Sequence, residues 1–242
     1  MHAKKIFAAM VGLSCFSAHA QSVDAPQFKA GDSWVVADTM EQGTQGWARK
    51  NEVVTIERVQ GNGMLVEENQ EGSTQAPTEK LVGVDWSRSR DVNGTQTVVN
   101  RPLAFPMKPG KKWTIEYTEL NPNQRHSSET MHCDYVVIGW EDVQVPAGSF
   151  KALKVECDGQ WSAMTASAIA GGSHALVNAT GVTTVTQSQR VTPRNFSGRL
   201  YKAFWYVPSE KRFVKSVEEY YNSNGVRTQR FTEELVSSKL QG

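Results

Sequence analysis

Cysteine is scarce in this chain: three in 242 residues, and one of them, Cys15, falls within the first twenty. A dense disulfide framework is therefore not what holds the fold, and a chain this long can bury a full core without one. An excess of either charge is also missing. Lys and Arg number 26 and Asp and Glu 25, for a formal charge of +1. Without Lys4 and Lys5 of the leader, basic residues fall to 24 against 25 acidic, a charge of −1. Near-neutrality gives no electrostatic basis for binding nucleic acid or an anionic membrane surface. No apolar run beyond the N-terminus is long enough to span a bilayer. No segment carries a sustained 3.6-residue apolar stripe with caps, so helices are not expected. Phosphate loops and dinucleotide fingerprints are absent too; Gly61-Asn62-Gly63 reads as a turn.

What is present begins with an export signal. Lys4 and Lys5 form a basic start, Ile6 to Phe16 an apolar stretch, and Ala18-His19-Ala20 a small-x-small cleavage pattern. Residues 1–20 read as a signal peptide, cleaved after Ala20, and the destination as the periplasm. Lipidation at Cys15 is disfavoured because Gly12 stands where a lipoprotein signal needs Leu, Val or Ile.

The rest, residues 21–242, reads as a single β domain. Short alternating runs are separated by turn residues. Val53 to Ile56, Gly61-Asn62-Gly63 and Met64 to Val66 form a hairpin pattern. Leu81 to Ser89 and Thr95 to Val99 flank Asn93-Gly94. Trp113, Ile115 and Tyr117 alternate with polar residues. Tyr201 to Val207 and Phe213 to Tyr221 flank Pro208-Ser209-Glu210, and Asn222 to Gly225 turns the chain into Val226 to Leu235. The predicted class is all-β: a single antiparallel domain, built as a sandwich, a barrel or a curved half-barrel. Residues 159–189 stand apart, with no Lys, Arg, Asp or Glu. They read as an uncharged insertion on the surface, as a flap over an apolar cavity, or as a strand pair inside the sheet.

"DYVVIGWEDVQ" followed by "VPAGSFKALKV" resembles a family of exported Gram-negative proteins known only as a domain of unknown function. "RPLAFPMKPGKKWTIEY" and "FWYVPSEKRFVKSVEEY" resemble two further segments of it, so the likeness spans roughly residues 100–221. It implies a β-rich periplasmic domain and brings no catalytic residues. The uncharged run sits where a shorter connection would be expected.

Signs of chemistry are few. His126, His132 and His174 have no histidine at metal-ligand spacing. In His132-Cys133-Asp134 only the outer two share a strand face, too few for a metal site. Gly171-Gly172-Ser173-His174-Ala175 lacks the strand–turn–helix setting of a nucleophile elbow. Adjacent carboxylates (Glu67-Glu68, Glu141-Asp142, Glu218-Glu219) face apart on a strand, so each pair offers one inward group at most. No catalytic, cofactor or metal residues are assigned, and an enzyme is not expected. Seven tryptophans are the stronger lead. Trp34, Trp113 and Trp205 read as core; Trp47 and Trp161, with Ile169 and Leu176 of the uncharged run, are the candidate ligand contacts.

The expected function is a periplasmic, non-enzymatic protein that binds an apolar or amphiphilic, lipid-like ligand or an envelope partner. The alternatives are an assembly protein acting by strand addition at a sheet edge, and a hydrolase with an unrecognised site. Cys133 and Cys157 are expected to form a disulfide in an oxidising space. A turn at Pro146 would pair Val145 with Ser149, and the two cysteines would then miss each other by four positions, about 13 Å. The bond thus demands a wider loop or a bulge, for which Gly139 is the natural place.

Overall fold

The computed structural model describes residues 22–166 and 194–242. The leader at 1–20, its cleavage after Ala20, and Ile169 and Leu176 lie outside these residues. Twelve strands follow one another: β1 (Ser33–Glu41), β2 (Trp47–Gln60), β3 (Gly63–Gln70), β4 (Thr78–Gly83), β5 (Arg88–Val92), β6 (Thr95–Asn100), β7 (Lys112–Leu120), β8 (His126–Val145), β9 (Gly148–Thr165), β10 (Asn195–Val207), β11 (Arg212–Tyr221) and β12 (Arg227–Lys239). They form one antiparallel sheet in the order β6-β5-β4-β3-β2-β1-β12-β11-β10-β9-β8-β7. Every connection joins neighbours in the sheet except β6 to β7, which links its two end strands, and the first and last strands, β1 and β12, pair in its middle. Of the architectures the sequence allowed, the structure adopts a nearly closed barrel.

Closure comes from side chains rather than a ladder. At the seam between the β5–β6 hairpin and β7, Asn93 Nδ2 donates to the Thr118 carbonyl at 2.8 Å, and the Leu120 amide donates to Asn93 Oδ1 at 2.8 Å. Trp113 Nε1 donates to the Arg101 carbonyl, and Arg90 pairs with Glu119. The end strands of the sheet thus face each other and are bridged.

One end of the barrel is stoppered by chain. Val23 and Met107 form a backbone bridge, and Leu103 and Met107 are fully buried. Beside them Phe28, Trp34, Trp86 and Phe213 pack edge-to-face, with centroids 5.4–6.4 Å apart. Asp32, also fully buried, accepts from the amides of Lys29 and Gln241 and from Lys211 Nζ. Burial alone would raise its pKa. The Lys211 ammonium and the two amides outweigh that and hold it low. Asp32 thereby ties the segment before β1 and the segment after β12 to the β10–β11 turn.

The Cys133–Cys157 disulfide is present, with Cα atoms 5.8 Å apart. The predicted pairing needs correction in two places. The turn is tighter than expected, so Val145 opposes Gly148 and Gln144 opposes Ser149. The ladder then shifts between Val137 and Gly139, at the expected bulge. Cys133 now lies opposite Gly159 and Cys157 opposite Tyr135, two positions apart instead of four. Gly159 completes the approach: a Cβ there would overlap the His132 carbonyl and crowd the Cys133 sulfur.

Two further expectations are corrected. The uncharged run was placed from residue 159, but residues 159–165 continue β9 and pair with β8 and β10. Trp34 is fully buried and Trp113 stacks on Tyr135 at 5.2 Å, but Trp205 is not inside the barrel. Leu200, Lys202 and Phe204 take the inner face of β10, so alternation turns Trp205 outward. There its Nε1 bonds to Glu141, and Lys154 lies over its ring.

Candidate functional site

Registers across the sheet align inward residues into rows. One row runs Val155, Phe204, Ser216, Glu233, Asp38 and Lys50, from β9 to β2. The next runs Cys157, Lys202, Glu218, Phe231 and Met40. Toward the stoppered end the rows are apolar, with Trp34, Ile56, Met64 and Leu235 all fully buried. The barrel is therefore apolar at its closed end and carries a belt of charges further along.

A cavity of about 690 Å³ opens at this belt. Trp86, Phe204, Phe213, Tyr220 and Phe231 supply aromatic wall, and Val54, Val66 and Val82 aliphatic wall. Five carboxylates line it: Asp38, Glu52, Glu68, Glu218 and Glu233. Four have their own base. Lys50 pairs with Glu52, Lys80 with Glu68, Lys202 with Glu218 at 3.1 Å, and Arg212 with Glu233. Among the described residues Asp38 has no such partner.

Their protonation follows from that inventory. Burial, then the neighbouring Glu233 charge and a hydrogen bond to Glu52, pushes the Asp38 carboxyl up to about 8. Asp38 is therefore protonated at neutral pH and donates to Glu52. Glu52 is held low: burial opposes ionisation, but Lys50 and the Asp38 donor outweigh it. Glu218 is also low, because Lys202 and Arg88 overcome its burial. Glu233 is raised, since burial and the nearby carboxylates exceed the effect of Arg212.

Arg212 is the most buried cation in the belt, only 2% exposed. Its guanidinium lies 4.6 Å from the Trp86 ring centre, 5.1 Å from Phe213 and 5.5 Å from Trp34. Such aromatic contact favours a desolvated cation. Nη2 donates to Glu233, while Nε and Nη1 are buried with no acceptor among the described residues.

A second cavity, about 730 Å³, lies where β7, β8 and β9 meet the turns after β1 and β11. Trp161, Tyr117, Met131 and Tyr220 line it. Trp161 is anchored by its Nε1, which donates to the Tyr221 carbonyl at 3.0 Å. Of the sequence-derived contacts, Trp161 thus lines a cavity. Trp47 is 70% exposed and lines neither of these two cavities. The His132 ring is exposed and bonds to Asp134, whose carboxylate raises its pKa.

The charged belt does not follow from carboxylates adjacent in the chain: it gathers Glu68 and Glu218, one inward member from each of two such pairs, with Asp38, Glu52 and Glu233. A signal was available. Trp34-x-Val36-x-Asp38, Met64-x-Val66-x-Glu68, Leu200-x-Lys202-x-Phe204 and Glu233-x-Leu235 each place a charge at the apolar parity of a strand.

No protein-family model matches the chain, and no curated protein matches it. Solved structures align with it at low similarity. One is a provisionally assigned lipoprotein of Parabacteroides distasonis, at 14% identity and a TM-score of 0.44, over 90% of this chain and 100% of that one. Another is a provisionally assigned exported protein with a YmcC-like fold from Bacteroides fragilis, at 14% identity and a TM-score of 0.42, with the same coverage. A third is the hypothetical lipoprotein YmcC of Escherichia coli (K12), at 12% identity and a TM-score of 0.32, over 86% of each chain. Likeness at this level carries no functional information.

Proposed function

We propose that this chain is an exported, periplasmic, non-enzymatic protein whose barrel interior binds an apolar or amphiphilic small molecule. The export reading rests on the basic, apolar and small-x-small leader, and is consistent with the family resemblance. The observation that carries the binding reading is the cavity of about 690 Å³, lined by aromatic rings together with a belt of charges. That volume and mixed lining suit a ligand with an apolar body and one polar end. Strand addition has less support, because the sheet's end strands face each other across a bridged seam. An envelope protein partner also has less support, since the distinctive chemistry lies inside the barrel.

A hydrolase remains the second reading, favoured by the Asp38–Glu52 contact, in which one carboxyl holds a proton beside an ionised neighbour.

Titration with Nile red, a neutral apolar dye, tests the binding reading. One saturable site is expected, lost in Ser216→Trp, which fills the cavity from the centre of its inward row. Absence of saturable binding would sink the reading.

A further inference from the structure

We infer that the polar end of the ligand is an anionic acceptor, carboxylate-like, and that Arg212 is the residue that reads it. This deepens the cavity-binding reading and rests on it.

Arg212 is held where a ligand would meet it. Three aromatic rings confine its guanidinium, and Glu233 occupies only Nη2. Nε and Nη1 are left without an acceptor on different edges of the guanidinium, each able to donate to an anionic oxygen. A buried charged donor with no partner is costly, so the natural complement is an acceptor brought in by the ligand.

The surroundings agree. Arg88 lines the same cavity and has no carboxylate within ion-pair distance among the described residues. Asp38 keeps its proton at neutral pH, so it repels no anion there. Lys50, Lys80 and Lys202 are matched by Glu52, Glu68 and Glu218. Donors thus exceed acceptors at the belt, and a cationic head would meet an unpaired Arg88 and the free donor edges of Arg212. The aromatic rings beside Arg212 lie ready for an apolar chain attached to the head.

The test is competition against bound Nile red by three ligands that share one chain: dodecanoate, dodecanol and dodecylammonium. Dodecanoate is expected to displace the dye at a concentration at least ten-fold lower than dodecanol, and dodecylammonium to be the weakest. Arg212→Lys keeps the charge but removes the planar guanidinium and its two free donors. It should erase most of the dodecanoate preference while leaving dodecanol unchanged.

The preference should also shrink as pH rises from about 7 to about 9. Asp38, faced by Lys50 and Glu52 on β2 and Glu233 on β12, then loses its proton and repels the carboxylate. Equal displacement by all three ligands would overturn the inference and leave the cavity reading standing. No displacement by any of them, with Nile red itself unbound, would overturn both. A preference for dodecylammonium would overturn the inference alone.

Discussion

Replacing Asp38 by Asn should change how stability depends on pH. In the folded protein Asp38 holds its proton up to about 8; its ordinary value is 3.8. Below the lower value both states are protonated, and the group's contribution is fully present. As pH rises through the interval, the unfolded chain releases the proton and the folded one retains it, so stability falls. At 1.36 kcal/mol per pH unit the interval corresponds to about 6 kcal/mol. Asp38 is only half-buried, and solvent screening reduces this to about 2–3 kcal/mol. Asn keeps the shape and a donor for Glu52 but cannot ionise. Urea unfolding of both proteins, with the disulfide intact, should therefore show a gap that moves by about 2–3 kcal/mol in favour of Asp38→Asn between about pH 4 and pH 8.5. Any constant cost of the substitution cancels in that difference. Parallel pH profiles for the two proteins would refute the reasoning.

Lys202→Met should cost about 3–5 kcal/mol, because it strands the buried Glu218 charge; adding Glu218→Gln should recover most of it in the same unfolding assay. Cys133→Ser with Cys157→Ser should lower stability by roughly 3 kcal/mol, and non-reducing peptide mapping of the parent should find the two peptides joined. Gly198→Ala should destabilise by more than about 3 kcal/mol, since its Cβ would overlap the Tyr221 carbonyl that accepts from Trp161; circular dichroism melts of Gly198→Ala and of Gly94→Ala, where nothing crowds the Cβ, separate overlap from backbone strain. Tyr135→Phe should cost about 1 kcal/mol through loss of its bond to Asn100, read by urea midpoint.

The β class was legible because turn residues and alternation are local. Asn93-Gly94, Pro208 to Glu210 and Asn222 to Gly225 all mark chain reversals where the structure has them. The joining of the two halves of the sheet was not legible. The β1–β12 pairing joins residues some 200 positions apart, and no local pattern encodes it. The disulfide turned on one residue of register. A two-residue turn replaced a three-residue one, and the shift at Gly139 did the rest. Trp205 departs from the core expectation because side-chain size alone does not set the facing; the parity that turns Leu200 and Phe204 inward turns it outward. The belt was missed for a related reason. A charge at an inward position makes sense only when its partner on another strand is known, as Glu218 is for Lys202.

Native mass spectrometry of the protein recovered from the cell envelope tests the central claim most directly. The account predicts an added mass of a small amphiphile on the parent protein, reduced or absent in Ser216→Trp. A bare polypeptide mass for the parent, or the same adduct on both proteins, would contradict a ligand held inside the barrel.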